Sequence, residues 1–157
     1  MTCNCSAGQG HVCPALGFSE EEWQRRPKIL ASFETGYPDP PLRSNKRLHH
    51  MAEHRIKRDI RQTGFVQATR WAGEKRAEGW TFPLGQVVEV RMIWYVPTKH
   101  RRDADSGQPT LKSYLDGIVD AGVLADDNYR HVRRAYCEVH HNPGEPMRLV
   151  VEIREAT

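Results

Sequence analysis

Residues 86–122 run QVVEVRMIWYV, then PTKHRRDADSG, then QPTLKSYLDGIVDAG, and the change of period along this stretch decides the fold. In 86–96, Val88, Val90, Met92, Trp94 and Val96 fall on one face of an expected strand. Val87, Ile93 and Tyr95 share the other face with Glu89 and Arg91, the pattern of a sheet covered mainly on one side. After a charged interruption the period lengthens. Leu111, Leu115, Ile118 and Val119 line one stripe of an expected helix over 109–121, and Gly122 is placed to end it.

Downstream, 131–141 and 147–153 read as strands joined by Asn142-Pro143-Gly144-Glu145, a hairpin turn. Upstream, Ile29, Ala31 and Phe33 alternate with Leu30, Ser32 and Glu34 as in a strand. Gly36-Tyr37-Pro38-Asp39-Pro40-Pro41 then breaks regular structure. A basic helix follows, with Leu48, Met51, Ala52, Ile56 and Ile60 at helical spacing; its continuation past Gly64 through Phe65, Ala68 and Trp71 is left open by the sequence. The order β-α-β-α-β-β describes one α/β (α+β) domain over 28–157. Residues 1–27 read as an appendage, with Ser19 and Glu22 forming a capping box for a short helix near 19–26.

The chain has 157 residues, 38% hydrophobic and 27% charged, an ordinary mixture for a single buried core. Its longest apolar run, from Met92 to Val96, is five residues, far below the roughly 20 of a membrane-spanning helix. The chain does not open on a basic segment followed by an apolar one. Classical secretion and membrane insertion are therefore not expected, and the expected setting is the cytoplasm. The net charge of +3 conceals a division. Residues 43–76 carry ten Lys and Arg against three Asp and Glu, whereas 103–127 carry six Asp against one Lys. A basic block beside an acidic cluster suits a protein that grips a polyanion and presents a metal to it.

Cys3, Cys5, Cys13 and Cys137 do not form a disulfide framework. Cys3, Cys5, His11 and Cys13 are soft ligands that can close a structural Zn²⁺ loop, against the plainer reading of terminal thiols. His50 and His54 have ligand spacing, but no third ligand stands near them in sequence.

The acidic residues are ordered. Asp103 and Asp105 follow the long strand; in extended chain, positions i and i+2 point the same way, so both carboxylates can reach one ion. The helix then carries Lys112, Asp116 and Asp120 at four-residue steps, and Asp126-Asp127 follow Gly122. Hard carboxylate oxygens are what Mg²⁺ takes. Solvated turns and an exposed ion pair are the bland alternative.

The stretch Arg101-Arg102-Asp103-Ala104-Asp105, Lys112, Asp116, Asp120-Ala121-Gly122, Asp126-Asp127 resembles the RusA family of Holliday junction resolvases, phage-type endonucleases. The strand before it, the final hairpin and the Pro40-Pro41, Asn45, Arg47 loop extend the resemblance over roughly 28–155. It implies a small mixed sheet with helices packed against it and a homodimer acting on branched DNA. It also implies Mg²⁺, replaceable by Mn²⁺, held by Asp103, Asp105 and Asp127, with Asp126 the secondary member of its pair and Lys112 assisting catalysis. The sequence departs from the family in two places. Ser106 stands where the family has Asn, and the loop 106–110 is longer.

Arg43, Lys46, Arg47, Arg55, Lys57, Arg58 and Arg61, with Arg101 and Arg102, are the expected phosphate grip, positioning duplex arms without reading sequence. The expected activity is Mg²⁺-dependent, symmetric phosphodiester hydrolysis in four-way junctions or other branched DNA. The alternative is a catalytically silent branched-DNA-binding phage accessory protein of the same fold. A D-x-D sugar-nucleotide transferase is a weaker third reading, for which the chain is short.

Overall fold

The alternating stretch forms β2 (Val88–Val96) in a computed structural model that describes residues 27–156. The Ser19 capping box and the Cys3, Cys5, His11 and Cys13 group lie outside the described residues. The elements run β1 (Ile29–Glu34), α1 (His50–Ala77), β2, a 3-10 turn (Ala104–Gly107), α2 (Gln108–Asp120), β3 (Val132–His141) and β4 (Arg148–Glu155). The expected order β-α-β-α-β-β therefore holds, in a mixed α+β domain with one four-stranded sheet ordered β1-β4-β2-β3.

β2 and β3 are parallel and joined through α2, a βαβ unit, while β4 runs antiparallel to both β1 and β2. This corrects the expected hairpin. Residues 142–145 do turn, with the Asn142 N–H donating to the Val96 carbonyl at 2.8 Å and Gly144 at φ 85°. The strands on either side are nevertheless kept apart by β2. Turn chemistry reports a reversal of direction, not the partner that follows it. β3 carries Arg133, Arg134, His140 and His141, side chains that suit an edge; β4 reads RLVVEIRE and is buried through its middle, which suits the centre.

One face of β2 packs Val88, Val90, Met92, Trp94 and Val96 against α1 and α2. The opposite face is also closed, although no helix lies on it among the described residues. Glu89 is 1% exposed and pairs with Arg134 at 2.9 Å. Arg91 lies between Glu152 at 2.6 Å and Glu138 at 3.1 Å, and Arg148 stacks over Tyr95 at 4.5 Å. Long charged side chains thus cover the sheet with their stems and satisfy one another.

α1 runs unbroken for 28 residues, about 42 Å, straight through Gly64. A glycine inside a helix costs about 1 kcal/mol relative to alanine and looks like a breaker. Here the helix crossing requires it. A Cβ on Gly64 would lie 2.5 Å from the Tyr114 carbonyl oxygen, and one on Gly117 would lie 2.1 Å from the Arg61 carbonyl oxygen. α1 and α2 therefore meet backbone to backbone. The buried stripe of α1 is Ile60, Gly64, Ala68 and Ala72. Of the expected stripe, Leu48 and Ile56 pack half-buried on the core and Ile60 is buried, but Met51 is 61% exposed and Ala52 is exposed too. No helix among the described residues is long and apolar enough to cross a membrane.

Candidate functional site

β1 and β2 point their C-terminal ends the same way, and both lead into irregular segments there, 35–49 and 97–103. That end of a βαβ unit is where ligands commonly sit, because crossover loops and helix starts converge on it. Four hydrogen bonds tie the first of these segments to the end of the second, to the 3-10 turn and to the first turn of α2. Thr110 Oγ1 accepts from the Leu42 N–H at 3.0 Å and donates to the Leu42 carbonyl at 2.7 Å. The Ser44 N–H donates to the Ser106 carbonyl at 3.0 Å, and Asn45 Nδ2 donates to Asp103 Oδ2 at 3.0 Å.

Asp103 keeps extended backbone, but Asp105 lies inside the 3-10 turn. The i, i+2 argument for a shared face therefore does not apply. Three residues per turn send these two side chains apart, whereas a strand would align them. Asp105 lies close enough to Cys137 for its charge to act on the thiol, which burial foremost, and then Asp105, pushes up to about 12. The apparent long loop 106–110 is not a loop. Ser106 and Gly107 are buried at the end of the turn, and α2 starts at Gln108 with Pro109 in its first turn. Gly107 is wedged so closely that a Cβ would lie 2.5 Å from the Met92 methyl. The four-residue 3-10 turn and the first turn of α2 absorb the extra length.

Lys112 projects from α2 and bonds Asp116 at 3.0 Å and also Asp127, which the chain folds back from beyond the end of the helix. Both carboxylates raise the pKa of Lys112, so the ammonium is charged at neutral pH. Asp126 is occupied differently. Its carboxylate accepts from the Asp127 N–H and from Asn128 Nδ2, both at 2.7 Å, and these bonds hold its pKa below the ordinary carboxylate range. It shapes the turn that presents Asp127. Asp120 does not face Lys112: it takes Arg61 in a bidentate pair, with 2.7 Å between Oδ1 and the guanidinium, and this pair ties α1 to α2. Among the described residues no three His, Cys, Asp or Glu side chains converge to hold a metal. The acidic residues fall into separate groups: Asp103 with Asn45, and Asp116 and Asp127 with Lys112.

Of the expected grip, Arg47, Arg55 and Arg58 are exposed, Lys57 pairs with Glu53 at 2.6 Å, and Arg61 is engaged by Asp120. Arg43, Lys46, Arg101 and Arg102 gather with Asn45, Asp103 and Ser106 around a pocket of about 280 Å³ walled by Trp94. The alternation of 86–96 puts Trp94 in the core, and nothing in the sequence singles out Thr110, the residue that clamps the 35–49 segment to α2. The only local signal for the clamp is Asn45 following Pro40-Pro41. No family model matches the chain, and no curated protein matches it either.

Proposed function

We propose that this protein is a divalent-metal-dependent endonuclease for branched DNA, of the kind its sequence resembles. The observation that carries the reading is the return of Asp127 onto Lys112, fifteen residues away in sequence, at the edge of a βαβ unit whose first strand leads to Asp103 and Asp105. The Lys112 ammonium is exposed between its two carboxylates and so is open to a phosphate oxygen.

Carboxylate chemistry suits Mg²⁺, and the resemblance implies Asp103, Asp105 and Asp127 for it. Among the described residues these three do not converge, so an ion here would take only one or two of them. The lack of a ready three-carboxylate group is compatible with an ion that uses one or two protein carboxylates and completes its shell with water and substrate phosphate. When bound, such an ion supplies charge stabilisation at a phosphoryl oxygen and a more acidic water. The chain's own contribution is separate. Lys112, held charged by Asp116 and Asp127, acts as a donor to a non-bridging oxygen and not as a general base. Arg55, Arg58 and Arg47 lie on exposed surface where they would follow duplex phosphates, and a two-fold homodimer would match a two-fold junction.

The deciding experiment is incubation of the purified chain with labelled four-way junction and linear duplex, in Mg²⁺ and in EDTA. Symmetric nicks in the junction that need the metal are expected, with Asp127→Asn abolishing them and Lys112→Ala reducing turnover by about 10²-fold or more. Equal cutting of linear duplex would remove the junction preference. Full activity of Asp127→Asn would remove the site. Junction binding with no cleavage under any divalent ion would establish the silent DNA binder.

A further inference from the structure

Tyr129 is 79% exposed, the most exposed of the large apolar side chains among the described residues. A single apolar side chain on a surface needs no explanation by itself. What distinguishes this one is the backbone beneath it. The turn from α2 into β3 is tied by its own hydrogen bonds. The Asn128 carbonyl accepts from the His131 N–H at 3.0 Å and from the Val132 N–H at 2.8 Å. Asn128 Oδ1 accepts from the Arg130 N–H at 2.9 Å, and Asn128 Nδ2 donates to Asp126 at 2.7 Å. Asp126 in turn accepts from the Asp127 N–H at 2.7 Å. The ring is therefore carried on ordered backbone, and apolar surface held in this way is already organised for a partner.

The surroundings of the ring state the chemistry of that partner. The Arg130 guanidinium lies 5.9 Å from the ring centre, a cation beside the aromatic system. Arg133 and Arg134 follow at the start of β3 and are exposed as well. Charged and polar neighbours of this kind do not make the apolar centre of a protein–protein contact. An aromatic ring set among guanidiniums is instead the pattern on which unpaired bases stack, with the cations left for the flanking phosphates. Tyr129 also lies two residues beyond Asp127, whose carboxylate rests on Lys112. Two residues of chain span at most about 7 Å, so the ring is rooted close to the candidate site.

We propose that Tyr129 is a stacking platform for an unpaired nucleobase at the branch point of the DNA, setting that strand beside Lys112. Within a duplex arm each base is stacked on both neighbours and has no face to offer. Where strands exchange partners the stack is interrupted and a base face opens. The platform thus contributes a preference for branched over linear DNA, which contacts to phosphates alone do not supply. The proposal rests on the nuclease reading and adds to it the residue that distinguishes the branch.

The test uses the full chain, in EDTA, with a four-way junction carrying 5-iodouracil at the branch point, a label that on irradiation couples to an aromatic ring stacked on it. Tryptic mass spectrometry should place the adduct on Tyr129, and the same label within an arm should give none there. Tyr129→Ala should weaken junction binding about tenfold and linear-duplex binding little, with the salt slope unchanged because no phosphate contact is lost. Tyr129→Phe should bind as the parent does, since the ring remains. An unchanged urea midpoint verifies the folding of both variants. An adduct elsewhere, or parental junction binding by Tyr129→Ala, overturns the proposal and leaves the nuclease reading standing. Equal weakening by Tyr129→Phe would trace the effect to the hydroxyl and overturn the stacking. A chain that shows the adduct and the tenfold loss but cuts nothing in Mg²⁺ keeps the platform and loses the nuclease. A parent chain that binds no junction overturns both.

Discussion

The first ten residues of α1 and the thirteen that follow from Ile60 to Ala72 belong to one uninterrupted helix but stand in opposite relations to the rest of the molecule. In the later part every fourth residue is buried, and three of the four, Gly64, Ala68 and Ala72, are no larger than alanine. The backbone there touches the backbone of α2. In residues 50–59 only Ile56 packs on the core, and that half-buried; Met51 stands in solvent, and Arg55, Lys57 and Arg58 share the surface with Glu53 and Asp59. A free helix of ten residues would barely persist in water, because the nucleus is costly. This one extends a helix already nucleated and held at its far end, so its exposed turns cost little. The comparison teaches that shape and charge have been divided along the rod: one part fixes the fold, the other is free to carry a surface.

The largest effect expected from breaking this division comes from Gly117→Ala. The new methyl would meet the Arg61 carbonyl at 2.1 Å and the Phe65 nitrogen at 2.7 Å, and neither is a side chain that can swing aside. The helices must part, at a cost of about 3 kcal/mol, read from the urea midpoint. A neutral result would mean that the crossing is loose and that the two parts of α1 do not differ in the way described. Next comes the triple change Arg55→Gln, Lys57→Gln, Arg58→Gln. It should lower the salt slope of junction binding by up to about three units, one per lost phosphate contact. Stability should stay within about 0.5 kcal/mol of the parent, since the sites are exposed. An unchanged slope would show that the exposed turns are only solvated.

The smallest effect concerns the pair where the two parts meet, Arg61 with Asp120. The Arg61 guanidinium holds the Asp120 carboxyl below its ordinary range. A carboxyl whose pKa is lower in the folded chain stabilises it above the unfolded value, about 3.9, and loses that contribution as pH falls through the folded value. Asp120→Asn should therefore shift the urea midpoint slightly at pH 7 and not at all once the pH lies below both values. A difference that persists in acid would trace the effect to packing and not to charge.

What the sequence disclosed followed the physics available to each residue. Alternation in 86–96 and the stripe through Leu111, Leu115 and Ile118 announced β2 and α2, because burial on one face imposes a period. Gly64 hid the continuation of α1, since a glycine chosen for contact with Tyr114 looks the same in sequence as one chosen to stop a helix. The separation of β3 from β4 was hidden as well, because a turn names no partner. At the candidate site, the contact of Lys112 with Asp116 follows from four-residue spacing. Its contact with Asp127 does not, because fifteen residues and the end of a helix lie between them. Asp103 and Asp105 were misjudged because alternation was assumed where the chain coils. The place of Trp94 in the pocket wall could not be inferred at all: a tryptophan on the buried face of a strand looks like core until the loops that bring Arg43 and Arg102 to it are in place.

The central position of β4 bears on how the chain reaches this shape. Among the described strands β1 has only one neighbour, and Ile29 lies opposite Arg154 from the other end of the described sequence. β1 and β2 emerge early and cannot pair with each other, because their places in the sheet are on either side of a strand still to come. Until residues 148–155 insert, each presents an unsatisfied edge, and closing so long a loop is slow. A chain with this order should therefore form the β2–β3 pair and the α1–α2 crossing, whose contacts lie closer in sequence, before β4 closes onto β1.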